Sequence, residues 1–110
     1  MLPILCGLFS RLIEGIHGIM NPVTVDEVIS EAKYFGLPGT SVVCLENTHN
    51  NAGGTIVTAE QIENIAEIAH KHGASLHLDG ARLFNAAAAL GVPPNSLVDA
   101  VDTVAISLNK

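Results

Sequence analysis

His77-Leu78-Asp79-Gly80-Ala81-Arg82 is the stretch on which the fold turns. It closes an apolar run that begins at Ala74 and opens another that reaches Leu90. The first run has the length of a strand. The second has the length of a helix, and Gly91 followed by Pro93-Pro94 supplies a stop for it. The spacing predicts a strand over 74–79 and a helix over 81–90, joined by a glycine turn. Downstream, 103–108 is a second short apolar run and predicts a strand. Upstream, 41–46 (Ser-Val-Val-Cys-Leu-Glu) predicts another, with both faces buried as in a parallel sheet.

Helices are predicted between and before these strands. Thr58-Ala-Glu-Gln61 has the form of a capping box, in which the hydroxyl accepts an amide and Gln61 reaches back. Ile62, Ile65, Ala66 and Ala69 then share one face, so 59–72 forms an amphipathic helix closed by Gly73. Thr24-Val-Asp-Glu27 has the same form and predicts a helix over 25–34, ended by Gly36, Pro38 and Gly39. Asn21-Pro22 before it is a turn signal. Apolar residues with weak helical spacing predict a helix over 4–15, and a short one is expected over 96–100. Strands alternating with helices define an α/β fold with a right-handed parallel sheet.

Composition sets the outer bounds. The chain has 110 residues, 48% hydrophobic and 15% charged, enough for one folded domain and too few for two. With three Phe, one Tyr and no Trp, the core must be aliphatic. The net charge is −6, and Arg11, Lys33, Lys71, Arg82 and Lys110 form no basic face, so neither nucleic acid nor an anionic membrane is an expected partner. Cys6 and Cys44 fit no metal or redox spacing. Cys44, inside an apolar run, is expected to be a buried reduced thiol, which suits a cytoplasmic protein. The apolar start has no positively charged n-region, and Arg11 and Glu14 interrupt it well short of the roughly 20 residues of a membrane span.

Ligands of an open parallel sheet bind beyond the carboxyl ends of its strands. Three such ends carry polar groups here: Glu46-Asn47-Thr48-His49, Asp79-Gly80-Ala81-Arg82 and Asn109-Lys110. A carboxylate and a lysine on neighbouring strand ends are what pyridoxal 5′-phosphate (PLP) requires. The acid keeps the ring nitrogen protonated and the amine holds the aldehyde. Two readings of Asp79 stand: this partner of a cationic ring, or a cap for the helix after it. Arg82 sits near a helix start, where the dipole disfavours a cation. Its anion is either Asp79 itself or a substrate carboxylate. His49 either meets a ring or a proton in the site, or is a loop histidine bonded to backbone. His77 is expected to be a satisfied core histidine, and His70 and His72 to lie on the surface. No metal site is expected from their spacing. Asn50 to Thr55 has the glycines of a phosphate loop without its spacing or its lysine, which argues against a nucleotide-binding module.

Cys44-Leu-Glu-Asn-Thr-His-Asn50, Ala52-Gly-Gly54, Leu76-His-Leu-Asp-Gly-Ala-Arg-Leu-Phe-Asn-Ala86, Leu90-Gly-Val92 and Val101-Asp-Thr-Val-Ala-Ile-Ser-Leu-Asn-Lys110 together resemble the low-specificity L-threonine aldolases, β-eliminating lyases of the fold-type-I PLP class. The resemblance covers about residues 24–110. It implies a partial three-layer sandwich, a piece of the large PLP-binding domain, truncated at both ends. It further implies Lys110 as the covalent anchor, Asp79 as the ring-nitrogen partner, and Arg82 as a ligand of cofactor or substrate carboxylate. Glu46 to His49 would line the cofactor pocket.

The activity implied is cleavage of β-hydroxy-α-amino acids such as threonine to glycine and an aldehyde, by a homo-oligomer. Another PLP-dependent β-eliminating lyase, or a non-catalytic truncated product, is the alternative. Where the family has His-x-Pro ahead of the Cys-Leu-Glu-Asn strand, this chain has Gly36-Leu37-Pro38. The family's phosphate-binding turn, ring-stacking histidine and C-terminal arginine have no counterpart here, so the chain reads as the central slice of a longer protein.

Overall fold

The computed structural model describes residues 2–110. At its centre is a three-stranded parallel sheet in sequential order: β1 (Val42–Glu46), β2 (Ser75–Gly80) and β3 (Thr103–Ile106). Register pairs Cys44 with His77 and Glu46 with Asp79, then His77 with Thr103 and Asp79 with Ala105. Four α-helices accompany it: α1 (Leu2–Cys6), α2 (Pro22–Tyr34), α3 (Ala59–Lys71) and α4 (Leu83–Leu90). The crossover from β1 to β2 runs through α3, and that from β2 to β3 through α4. The α/β class and the parallel sheet are as the sequence predicts.

Buried strand side chains alternate. Val43, Leu45, Leu76 and Leu78 are buried and share one face of the sheet. Ile62, Ile65, Ala66 and Ala69 of α3, Leu83, Ala86 and Ala87 of α4, and Val25 and Ile29 of α2 join them in one core. Each Leu or Ile placed there contributes about 1.5–3 kcal/mol. The opposite face carries Val42, Cys44, Ser75 and Asp79, all exposed, with Glu46 and His77 half-buried. Burial of β1 on both faces is therefore not observed. Successive right-handed crossovers in one direction put α3 and α4 on the same side, and α2 packs against α3. The described residues thus form the sheet and one helical layer of a sandwich.

Cys44 is corrected by the same fact: it is a free thiol on the open face. Partial burial nevertheless pushes its thiol up, away from reactivity. His77 is corrected too. It stands half-buried on the open face, its Nδ1 hydrogen-bonded to Thr103 Oγ1 at 2.8 Å.

The capping box of α3 forms as expected: Gln61 N donates to Thr58 Oγ1 at 3.3 Å, and Thr58 N donates to Gln61 Oε1 at 2.9 Å. The box at Thr24 does not form. α2 starts earlier, with Pro22 in its first turn, where no amide is needed, and Asn21 Oδ1 accepting from Val23 N at 2.9 Å. The predicted helix over 4–15 shrinks to α1, because Gly7 turns left-handed (φ 64°) behind it. A tight turn follows, closed by Ile16 N to Ile19 O (3.0 Å) and Ile19 N to Ile16 O (3.1 Å), with His17 and Gly18 at positive φ. Arg11 ties this segment down by donating to Val28 O at 2.7 Å and to Thr40 Oγ1. α4 begins two residues later than expected, and the helix expected over 96–100 is a 3-10 turn over Pro94–Leu97. No helix among the described residues is long and apolar enough to cross a membrane.

Candidate functional site

Parallel pairing brings the carboxyl ends of all three strands to one edge. Glu46 and Asp79 face each other in register, with α-carbons about 4.8 Å apart as the spacing of strands dictates. The ladder runs one step past β1, where Asn47 N donates to Asp79 O at 2.9 Å. The Asn47 side chain then turns inward and is fully buried. Its Nδ2 donates to Val57 O at 2.8 Å and its Oδ1 accepts from Val57 N at 3.1 Å. This amide pair clamps both ends of the loop that carries His49.

His49 is fixed at the backbone, donating to Thr55 O and accepting from Gly54 N, both at 2.9 Å. Its ring lies against the bare α-carbon of Gly18: a Cβ there would fall 2.5 Å from the ring Cγ. Its Nδ1 is buried without a hydrogen-bond partner and stands 3.9 Å from Glu46 Oε2. Asn50 N donates to the other Glu46 oxygen at 3.2 Å.

Asp79 is exposed at the end of β2. Its Oδ1 accepts from Ala81 N at 3.0 Å, a local turn that starts three residues ahead of the cap position of α4, which Arg82 occupies. Oδ2 has no partner among the described residues. Nor has the Arg82 guanidinium; the simple Asp79–Arg82 ion pair does not form. Gly80 lets the chain pass: a Cβ there would meet Ala105 O and Val104 Cγ2, both at 3.1 Å. A shallow cavity of about 160 Å³ lies against Asp79, between Ala81 and Ala105 to Ser107. Lys110 is exposed beyond β3. A larger concavity of about 600 Å³ lies among Glu14, His17, Met20, Thr24 and Gln61. It touches none of Asp79, Arg82, His49 or Lys110, whereas the smaller one is lined by Asp79 among these four.

The opposite edge of the sheet is occupied by contacts within the protein. His70 Nε2 lies 2.8 Å from Asp102 Oδ2, which also accepts from Leu76 N at 2.7 Å. These bonds, His70 first, hold the Asp102 carboxyl below its usual range. His72 Nε2 lies 2.6 Å from Asp26 Oδ1, with Lys71 at 3.2 Å, and Asp26 is lowered likewise, His72 leading. His72, expected on the surface, is 13% exposed. His70, His72 and His77 each have a separate protein partner and share none.

Sequence reasoning did not single out Asn47 as the clamp, although it lies in the quoted strand end. Gly18 carried no signal, because its neighbour His49 is remote in the chain.

The Beta-eliminating lyase family pattern matches residues 4–110. The chain is 55% identical over 94 residues to low-specificity L-threonine aldolase 1 of Arabidopsis thaliana, covering 84% of this chain and 26% of that protein. It is 52% identical over 73 residues to probable low-specificity L-threonine aldolase 2 of the same plant, covering 66% and 21%. A low specificity L-threonine aldolase of Saccharomyces cerevisiae is 37% identical over 96 residues, covering 87% and 24%. The chain therefore spans about a quarter of the length of these curated relatives.

Proposed function

The chain belongs to the β-eliminating lyase family, and on that premise we propose that it is a central piece of a PLP-dependent aldolase. The substrates would be β-hydroxy-α-amino acids such as L-threonine, cleaved to glycine and an aldehyde. The observation that carries this is the state of Asp79 and Arg82. Asp79, an anion with a spare oxygen, lines a cavity at the carboxyl edge, Arg82 three residues on has no protein partner among the described residues, and relatives carry the aldolase name.

The donor set fits PLP. The spare Asp79 oxygen would accept a hydrogen bond from the protonated ring nitrogen and so keep the proton on the ring. Lys110 would supply the amine that anchors the cofactor. Arg82 would hold a carboxylate by two parallel hydrogen bonds and so orient the bond to be broken. His49, on its clamped loop, would border the ring. Bound PLP supplies the electron sink for carbon–carbon cleavage. Gly36-Leu37-Pro38 provides no base for the substrate hydroxyl, so that proton is left to a group outside these positions.

The 110-residue chain on its own is proposed to bind PLP weakly. Its cavity at Asp79 is about 160 Å³, below the roughly 300–1,000 Å³ of small-molecule sites. A homo-oligomer in the cytoplasm is proposed for the complete protein. Exposed Leu8, Phe9 and Leu12 support the first, and the two free thiols support the second.

The test uses a polypeptide in which this segment is continued to the length of its relatives. It should release glycine and acetaldehyde from L-threonine with PLP present, and absorb near roughly 420 nm, where covalently held PLP absorbs. Lys110→Ala should remove both signals. Full activity in Lys110→Ala would overturn the reading, as would a full-length protein that binds PLP and leaves threonine intact.

A further inference from the structure

The proposed mechanism leaves one observation unused. His49 Nδ1 is the one buried side-chain nitrogen or oxygen without a hydrogen-bond partner among the described residues. Burying such an atom unpaired costs about 1–3 kcal/mol, so its nearest acceptor matters. That acceptor is Glu46 Oε2, 3.9 Å away. The pair stands just beyond hydrogen-bond range.

Both partners are held in place independently of each other. Asn50 N grips the far oxygen of the Glu46 carboxylate. The His49 backbone is bonded on both sides to the Gly54-Thr55 strand of its loop. Gly18, at φ 78°, offers a flat seat that only a residue without a Cβ provides. The ring therefore has little room to turn its Nδ1 edge away from the acid.

We propose that Glu46 is a positioning residue for His49, holding the proton on Nδ1 and leaving Nε2 as the free nitrogen at the carboxyl edge of the sheet. Which ring nitrogen of a histidine carries the proton is set by the bond the other makes. A carboxylate on Nδ1 orients the ring and makes Nε2 the acceptor. The inference rests on the proposed function only for what Nε2 would face. Asp79, in register with Glu46, and Cys44 and His77, paired one step back, are the other titratable groups the strands carry on that face.

The test is imidazole nitrogen NMR on the chain without cofactor, so its outcome is independent of whether the aldolase reading holds. His49 should show the Nδ1–H form alone. Glu46→Ala should turn it into a mixture of both forms while the signals of His70, His72 and His77 stay in place. Glu46→Gln, which keeps an acceptor oxygen, should restore the single form. An Nε2–H form in the unaltered chain would overturn the proposal, even if the alanine variant failed to fold. So would an unchanged tautomer in a folded Glu46→Ala chain.

Discussion

The two edges of the sheet treat polar side chains in opposite ways. At the amino edge they are committed to the protein: Asp102 bridges His70 and Leu76 N, and Asp26 takes His72 and Lys71. At the carboxyl edge Asp79 keeps one oxygen unbonded, Arg82 has no partner among the described residues, and Lys110 is exposed. The first arrangement ties α3 to the sheet through Asp102 and to α2 through Asp26. The second leaves charge uncommitted among the described residues. The exception at the carboxyl edge is Asn47, buried and fully bonded, which makes the edge rigid without using its charges.

The contrast can be broken by experiment, most forcefully at the carboxyl edge. In the full-length protein, Asp79→Ala should lower turnover by about 100- to 1,000-fold, the cost of one electrostatic partner in a reacting site. The melting temperature should hardly move. Steady-state kinetics beside a thermal melt checks both; a stability loss with intact turnover would place Asp79 among the structural groups. Asn47→Ala should do the reverse on this chain. It strands the Val57 amide and carbonyl, and a urea titration should show about 1–3 kcal/mol lost for each unpaired group. Thr58→Ala, which removes the cap of α3, should cost about 1 kcal/mol by the same titration.

The smallest effect belongs to the amino edge, whose carboxylates are at least a third exposed to solvent. Their folded-state values are lowered, so their stabilisation is present above the ordinary value of 3.8 and is lost as pH falls below it. Thermal melts from pH 6 to pH 2 should show part of the acid loss disappear in Asp102→Asn. An identical acid profile would mean that the Asp102 contacts add nothing.

Much of the fold was legible because its signals are local. Thr58 and Gln61 are one helical turn apart, and their bond depends on nothing else. The three strands showed as short apolar runs between turn residues. Asp79 and Arg82 lie just past such a run, so their place at a strand end could be read directly. Thr24-Val-Asp-Glu27 misled for a related reason: Asn21-Pro22, read as a turn signal, provides the cap instead, because proline sits without cost in a first turn.

Local spacing thus established the elements, their order and the residues at their ends. The sidedness of the sheet came from the path of the crossovers, which turned Cys44 and His77 outward against the expectation of their apolar surroundings. The partners came from the same source. His70 meets Asp102 across 32 positions and His72 meets Asp26 across 46, while His49 rests on Gly18. Such contacts carry no periodic trace in the chain. They arise when apolar faces are buried together, and the polar groups at the margins bond to whatever that packing brings within reach.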